Sequence, residues 1–168
     1  AEIRGDSALR QSWGSTADEI QSDILEHGVR DGVLRQHYET DALDASTLLA
    51  ALFGFLPGED ERLRRSVQAI ADDLTEDGFV LRYRTDETDD GLSGKEGSFL
   101  ICSFWLVSAL AEIGELQRAR GLCEKLLSFA SPLQLYAEEL DPHAGRHLGN
   151  FPQAFTHLAL INAVMHVI

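Results

Sequence analysis

Two adjacent carboxylates, Glu138 and Glu139, are the side chains of this sequence whose setting most suggests chemistry. They follow Tyr136 in the run YAEELDPHAGRHLGNFPQAF, residues 136–155, which continues through a polar stretch into a second aromatic-rich segment. Glycosidic bonds are cleaved by paired carboxyl groups, one of which protonates the leaving oxygen while the other activates water or attacks the sugar. The alternative is a solvated turn in an acidic protein, and the pattern alone favours the turn.

Two other stretches also mix aromatic residues with carboxylates. They are YETD, residues 38–41, and RYRTDETDDGLSGKEGSF, residues 82–99. Aromatic faces suit the C–H surfaces of a pyranose, and arginine and carboxylate groups suit its hydroxyls. A fold that gathers these stretches beside residues 136–149 would form a sugar site, because loops on a rigid scaffold commonly carry function.

Hydrophobic periodicity predicts the helices that would position these stretches. Apolar residues at helical spacing indicate a first helix over residues 12–26. Asp44 is then the predicted N-cap of an apolar segment, 45–55, which is hydrophobic nearly all round, and an amphipathic helix follows over 59–75.

The same order of extended segment, loop, inner helix and outer helix then recurs with a period of roughly 50 residues. The second unit comprises 79–83, 85–95, 99–113 and 115–129, and an incomplete third unit comprises 133–137, 138–149 and 151–167. Inner helices that are apolar all round and outer helices with one apolar face fit a two-layer α/α ring better than a four-helix bundle. We therefore predict an all-α fold with short extended segments and with its loops at one end.

Composition limits the class of partner. Fourteen Lys and Arg against 28 Asp and Glu give a net charge of −14, which repels a phosphate backbone and an anionic membrane surface. We expect neither nucleic acid nor membrane as a partner. Cys102 and Cys123 lie in apolar helical runs without metal-type spacing, which predicts buried free thiols of a reducing compartment. A cytoplasmic protein is the simplest interpretation.

The 168 residues, 44% of them hydrophobic, are enough for one core and hence for a single domain over 1–168. Ala1 to Gly5 is typical of the last turn and glycine C-cap of a helix, so we expect a fragment. His143 and His147 lie four residues apart, but Pro142, Gly145 and Gly149 argue against a helix that would align them on a metal. The residues imply no cofactor.

Three longer segments together resemble a known family. They are YETDALDAS at 38–46, RYRTDETDDGLSGKEGSFLICSFWLVSALA at 82–111 and YAEELDPHAGRHLGNFPQAFTHLALINA at 136–163. They are similar to the C-terminal part of the bacterial glucoamylase and trehalase-like glycoside hydrolases. That resemblance implies a partial α/α toroid, about three of the six helical hairpins of an (α/α)6 catalytic domain. It also implies hydrolysis of α-glucosidic bonds with inversion, by one Glu as general acid and another as general base.

The resemblance assigns roles to individual residues. It places the general base at Glu138, with Glu139 as the neighbouring alternative. The family's general acid lies in a Trp-Glu segment upstream of this chain, and neither Trp13 nor Trp105 is followed by Glu. The isolated chain is therefore expected to be inactive. The residues that match the family's sugar-binding positions are Arg82, Tyr83, Asp86, Glu96 and Phe99, of which Asp86 is the weakest match.

The expected partners are an α-glucoside or glucan, the N-terminal half of the toroid, and a second copy of the chain. A homodimer is expected because an open toroid leaves the apolar helices 45–55 and 151–167 uncovered. Two alternatives from other classes are a non-catalytic sugar-binding or complementing half of a split enzyme, and an α-helical repeat scaffold for protein partners. The sequence does not choose among starch-like glucans, trehalose and other α-glucosides.

Overall fold

The computed structural model describes residues 2–85 and 97–168, and these are mainly helical. The α-helices are α1 Ser7–His27, α2 Leu49–Leu52, α3 Glu61–Asp73, α4 Leu100–Glu112, α5 Leu116–Leu127 and α6 Ala154–Val167, with 3₁₀ turns at Glu2–Arg4 and Ala45–Leu48. The strands are β1 Val29–Arg30, β2 Val33–Leu34, β3 Thr75–Glu76, β4 Phe79–Val80, β5 Ser98–Phe99, β6 Glu139–Asp141 and β7 Arg146–Leu148.

Helix α4 forms the centre of the core. Phe104, Val107 and Ala109 on it are completely buried, and it packs against α2, α3, α5 and α6. Phe104 meets the ring of Tyr136 edge to face, with the ring centroids 5.6 Å apart. The prediction of an inner helix that is apolar all round is therefore confirmed for α4, because neighbouring elements cover most of its surface.

Helices α3 and α5 are outer helices with one buried face, as predicted. Leu63, Val67 and Ile70 of α3 are buried, while Arg65 and the acidic residues of the helix are exposed. Asp60 caps α3 by accepting a hydrogen bond from the Arg62 amide at 2.9 Å. The Arg62 side chain also binds the Asp60 carboxylate, and this contact lowers the pKa of Asp60 to about 2.

Three predicted boundaries are wrong. The first helix begins at Ser7, five residues before its predicted start. The first inner segment is a 3₁₀ turn followed by the short helix α2, which ends at Leu52 because Gly54 adopts a positive φ of 64°. The predicted extended segment 133–137 begins with a turn, in which Gln134 has a positive φ of 59°. Instead β6 and β7 lie in the predicted loop 138–149, because β5 supplies a backbone partner for β6.

The repeated unit has a structural signature that the sequence analysis did not use. Hairpin β1–β2 turns at Asp31-Gly32 and hairpin β3–β4 turns at Asp77-Gly78, and all four residues have positive φ. Asp-Gly is a preferred sequence for such two-residue turns. Each hairpin precedes an inner segment, so the first two repeats share this turn.

The two outermost helices, α1 and α6, are incompletely covered. None of the residues of α1 is buried, and Trp13 and Ile20 are 59% and 55% exposed. Helix α6 packs on α4 and α5, but Leu158 and Ile161 on its other side are 58% and 59% exposed. The described helices are too short or too polar to cross a membrane.

Candidate active site

Strand alternation separates Glu138 from Glu139. β6 lies between β5 and β7, with Glu139 opposite both Phe99 and Leu148. Successive side chains of an extended chain point to opposite faces. The Glu139 carboxylate therefore turns to the loop before β5, where its Oε2 accepts a hydrogen bond from the Gly97 amide at 2.8 Å. Glu138 turns the other way, into a cavity.

This cavity has a volume of about 300 Å³ and brings together three of the predicted site residues, Arg82, Phe99 and Glu138. They come from distant parts of the sequence. Arg82 follows β4, Phe99 ends β5, and Glu138 immediately precedes β6. The remaining lining residues are Asp44, Ser46, Ile101, Cys102, Trp105, Gln153, Phe155 and Thr156.

The backbone of Glu138 is held on both sides. Its amide donates to the Asn150 carbonyl at 3.0 Å, and its carbonyl accepts from the Leu100 amide, the first of α4, at 3.1 Å. In the carboxylate, Oε2 accepts from Asn150 Nδ2 at 3.1 Å. No donor among residues 2–85 and 97–168 reaches the other oxygen, Oε1.

Arg82 and Tyr83 divide their roles. The Arg82 carbonyl accepts from the Ala45 amide at 2.8 Å, which ties the segment after β4 to the 3₁₀ turn. Its guanidinium lies over the Tyr83 ring, 5.0 Å from the ring centroid. Tyr83 is buried and does not line the cavity. The ring can thus support the cation through a cation–π contact while Arg82 faces the cavity.

Asp44 is a cavity residue that the sequence analysis identified only as a helix cap. The cap is confirmed, since Asp44 Oδ1 accepts from the Ser46 amide at 2.7 Å, and Oδ2 accepts from Gln36 Nε2 at 3.3 Å. Both oxygens are thus engaged, which leaves Glu138 as the carboxylate with an oxygen open to the cavity among the described lining residues. In the sequence, the LDAS motif around Asp44 is the feature that could have identified it as a cavity residue.

Both cysteines are buried free thiols, as predicted. Cys102 lines the cavity. Burial, and then the nearby Asp44 carboxylate, raises the pKa of its thiol to about 12, against a smaller opposing effect of Arg82. The thiol is therefore neutral at physiological pH.

Other sequence candidates lie elsewhere. Tyr38 lines a separate cavity beside α1, and its hydroxyl donates to Asp23 at 2.7 Å, so the first loop contributes Asp44 and Ser46 to the site instead of YETD. His143 contacts Asp77, whereas His147 Nε2 contacts the Phe129 carbonyl. The described residues include no group of three or more potential metal ligands. Asp86 and Glu96 lie outside the described residues.

Aromatic side chains line the same cavity as Glu138. Phe99, Trp105 and Phe155 line the cavity together with Glu138. Such a wall suits the C–H face of a pyranose, and a carboxylate with one free oxygen can accept a proton from water. The cavity can therefore supply one half of what hydrolysis of a sugar acetal requires, namely a carboxylate able to act as a base and a wall able to bind the ring.

Comparison with known proteins gives relatives of one kind. The family model described as "Glycosyl hydrolases family 15" matches residues 1–165. The trehalase of Mycolicibacterium smegmatis is 68% identical over all of this chain and 25% of its own length. The trehalase of Thermoplasma volcanium is 40% identical over 94% of the chain and 25% of its own length. The chain thus spans about a quarter of the length of these curated relatives.

Solved structures show the same fold. A wild-type glycosidase superposes with a TM-score of 0.81 over 96% of this chain and 46% of its own, at 22% identity. A variant glycosidase in complex with glucose superposes with the same score at 21% identity. The predicted class, all-α and part of an α/α toroid, is confirmed by this likeness.

Proposed function

The chain belongs to glycosyl hydrolase family 15, and we propose that residues 1–168 are the C-terminal portion of its catalytic domain, acting on an α-glucoside with inversion. The observation that carries the proposal is the open oxygen of Glu138 in a cavity shared with Arg82 and Phe99. The Tyr83 ring contacts the Arg82 guanidinium through a cation–π interaction. Asp86 and Glu96 remain proposed sugar contacts by resemblance.

In the proposed mechanism Glu138 is the general base. Its Oε1 takes a proton from a water molecule as the water oxygen attacks the anomeric carbon, and the glycosidic C–O bond breaks on the opposite face. The leaving oxygen takes a proton from a general acid, which the resemblance places upstream of this chain. Arg82 and the aromatic wall hold the glucose ring during this displacement. Glu139 is engaged by the Gly97 amide and is the less suitable base.

Trehalose is the proposed substrate. The support is that relatives at 68%, 69% and 40% identity are each called trehalase. Starch-like glucans, which the sequence leaves as alternatives, are the competing substrates that the experiment has to include.

A chimera tests this proposal. The matching quarter of the M. smegmatis trehalase would be replaced by this chain, and glucose release from trehalose and from maltose would be measured. We expect hydrolysis with a preference for trehalose. Proton NMR of the first products should show one β- and one α-glucose per trehalose, because inversion acts at one anomeric centre. Two α-glucose molecules would indicate retention, and an inactive but folded chimera would contradict the proposal.

A complementing half-enzyme is the second candidate, and the uncovered face of α6 favours it. Leu158, Ile161 and Met165 are all more than half exposed, and contiguous apolar patches commonly mark association sites. Mixing this chain with the other three quarters of the relative should then restore hydrolysis without a covalent link. Activity only in the covalent chimera would argue against complementation.

A homodimer of the isolated chain is proposed on the same grounds, since two-fold pairing is the commonest way for identical chains to cover such a face. Light scattering of the chain at micromolar concentration should give the mass of a dimer, and a stable folded monomer would contradict this.

A cytoplasmic location is also proposed, and the two buried free thiols support it. Labelling of these thiols in intact cells before and after denaturation would test it.

A further inference from the structure

The segment after β7 encloses the Glu138 carboxylate. Asn150 Nδ2 donates to Oε2 at 3.1 Å, and the Asn150 amide lies 3.4 Å from the same oxygen. Asn150 also accepts the Glu138 amide through its own carbonyl at 3.0 Å. One residue therefore fixes both the backbone and one carboxylate oxygen of Glu138, and no donor among the described residues reaches the other oxygen, Oε1.

Gly149 leaves the space that the carboxylate occupies. A Cβ at this position would lie 2.9 Å from Glu138 Oε2 and 3.1 Å from Glu138 Cβ, and the residue adopts a φ of 70°. A distance below 3.0 Å is closer than real Cβ contacts, so a side chain here would push the carboxylate away. Gly145 in the same hairpin also has a positive φ, 61°, but its Cβ would meet only Phe129, at 4.0 Å.

We propose that Gly149 and Asn150 form a seat that orients Glu138, so that Oε1 points at the attacking water. They are positioning residues, because both act through Glu138. The inference rests on the proposed function, since it assigns these residues a role in that same reaction. A displaced base costs rate because proton transfer requires the base to lie within hydrogen-bond reach of the water.

Among residues 2–85 and 97–168, three other ionisable groups line the same cavity. Asp44 comes from the turn before the 3₁₀ segment, Arg82 from the segment after β4, and Cys102 from α4. Any added charge beside Glu138 acts against this background, so its effect has to be measured against a matched charge placed elsewhere.

Asn150→Asp is the first test, made in the chimera. It exchanges the donor for a second carboxylate beside Oε2, and two adjacent carboxylates resist ionising together. We expect kcat to fall about ten- to a hundredfold, and the acid limb of kcat/KM to move upward by about one pH unit. The matched control is Gln117→Glu, the same amide-to-carboxylate change on the exposed face of the outer helix α5, which should leave the limb in place.

Gly149→Ala is the second test, with Gly145→Ala as its control. Both substitutions place alanine at a positive φ and should lower the melting temperature similarly. Only Gly149→Ala meets the carboxylate, so it alone should lower kcat, by about a hundredfold, with KM much less affected. Equal kcat values for these two variants would overturn the seat.

The outcomes separate this inference from the proposed function. A chimera that is inactive, or that stays active as Glu138→Gln, overturns the proposed function and the seat with it. An active chimera that loses activity as Glu138→Gln supports the function. If its Asn150→Asp form then shows the same pH profile as the Gln117→Glu control, with only a lower melting temperature, the seat alone is overturned.

Discussion

Glu138 and Glu139 are adjacent carboxylates of the same kind, and they differ in what the fold gives them. Glu139 receives a main-chain donor, the Gly97 amide at 2.8 Å, and thereby joins the loop before β5 to β6. Glu138 accepts a hydrogen bond from the Asn150 side chain on one oxygen, and the residue lines the cavity. The difference shows that strand alternation can place neighbouring identical residues in different surroundings, one bound to a backbone amide and the other at a cavity.

The largest effect is expected from Glu138→Gln in the chimera. The amide can keep the sugar contacts but cannot accept a proton, so kcat should fall by about 10²–10⁴-fold with little change in KM. Steady-state kinetics on trehalose would measure both constants. A raised KM at an unchanged kcat would show that Glu138 binds sugar and is not the base.

The next prediction concerns Cys102, which lines the same cavity as Glu138. Since the pKa of its thiol is raised from 9.0 to about 12, at pH 8 the native chain holds about a thousandfold less thiolate at this position than an ordinary thiol would. Iodoacetamide should therefore modify Cys102 far more slowly in the native chain than in urea. Rapid native labelling, read by mass spectrometry, would mean that the cavity is open to bulk water down to α4.

A smaller effect is expected at Arg82, for which Arg84 is the control. Arg82 lines the cavity over Tyr83, whereas Arg84 pairs with Glu76 at 3.3 Å. Loss of a charged donor to a sugar hydroxyl should lower kcat/KM about ten- to a hundredfold in Arg82→Ala. Arg84→Ala should stay within about threefold of the parent, because loss of an exposed ion pair costs little. Similar losses of kcat/KM in both variants would contradict a sugar contact by Arg82.

The smallest effect is expected for Glu139→Gln. The amide oxygen can still accept from Gly97, so kcat should change less than about threefold, and the free energy of unfolding should fall by about 1 kcal/mol or less. Kinetics and urea denaturation of the same sample would measure both. A crippled Glu139→Gln beside a mild Glu138→Gln would reverse the assignment of the base.

Local patterns predicted much of the molecule. The helices α1, α3, α4, α5 and α6 follow from periodicity, and the Asp44 cap from its side chain and the apolar run after it. The resemblance supplied Glu138, Arg82 and Phe99, which line one cavity as expected. The apolar run predicts a longer inner helix than α2, because periodicity alone does not show that Gly54 ends the helix.

Contacts between distant segments were not predictable from local pattern. Local pattern predicts a loop where β6 forms, because the pairing of β6 depends on β5, far earlier in the chain. Phe155 and Thr156 reach the cavity only because α6 packs on α4. The role of Asn150 depends on the turn that brings it back to Glu138 after the β6–β7 hairpin. Each of these features is a property of the assembled fold.

The uneven attachment of α1 has a consequence for its local stability. Gln21 Nε2 donates to the Phe55 carbonyl at 2.6 Å, and Asp23 accepts from Tyr38 at 2.7 Å, whereas residues 7–20 are all exposed. A helix anchored at one end frays from the other, since its free turns depend on propagation from the fixed turn. Amide hydrogens should therefore exchange with deuterium fastest near Ser7 and progressively more slowly toward His27, while the core around α4 stays protected.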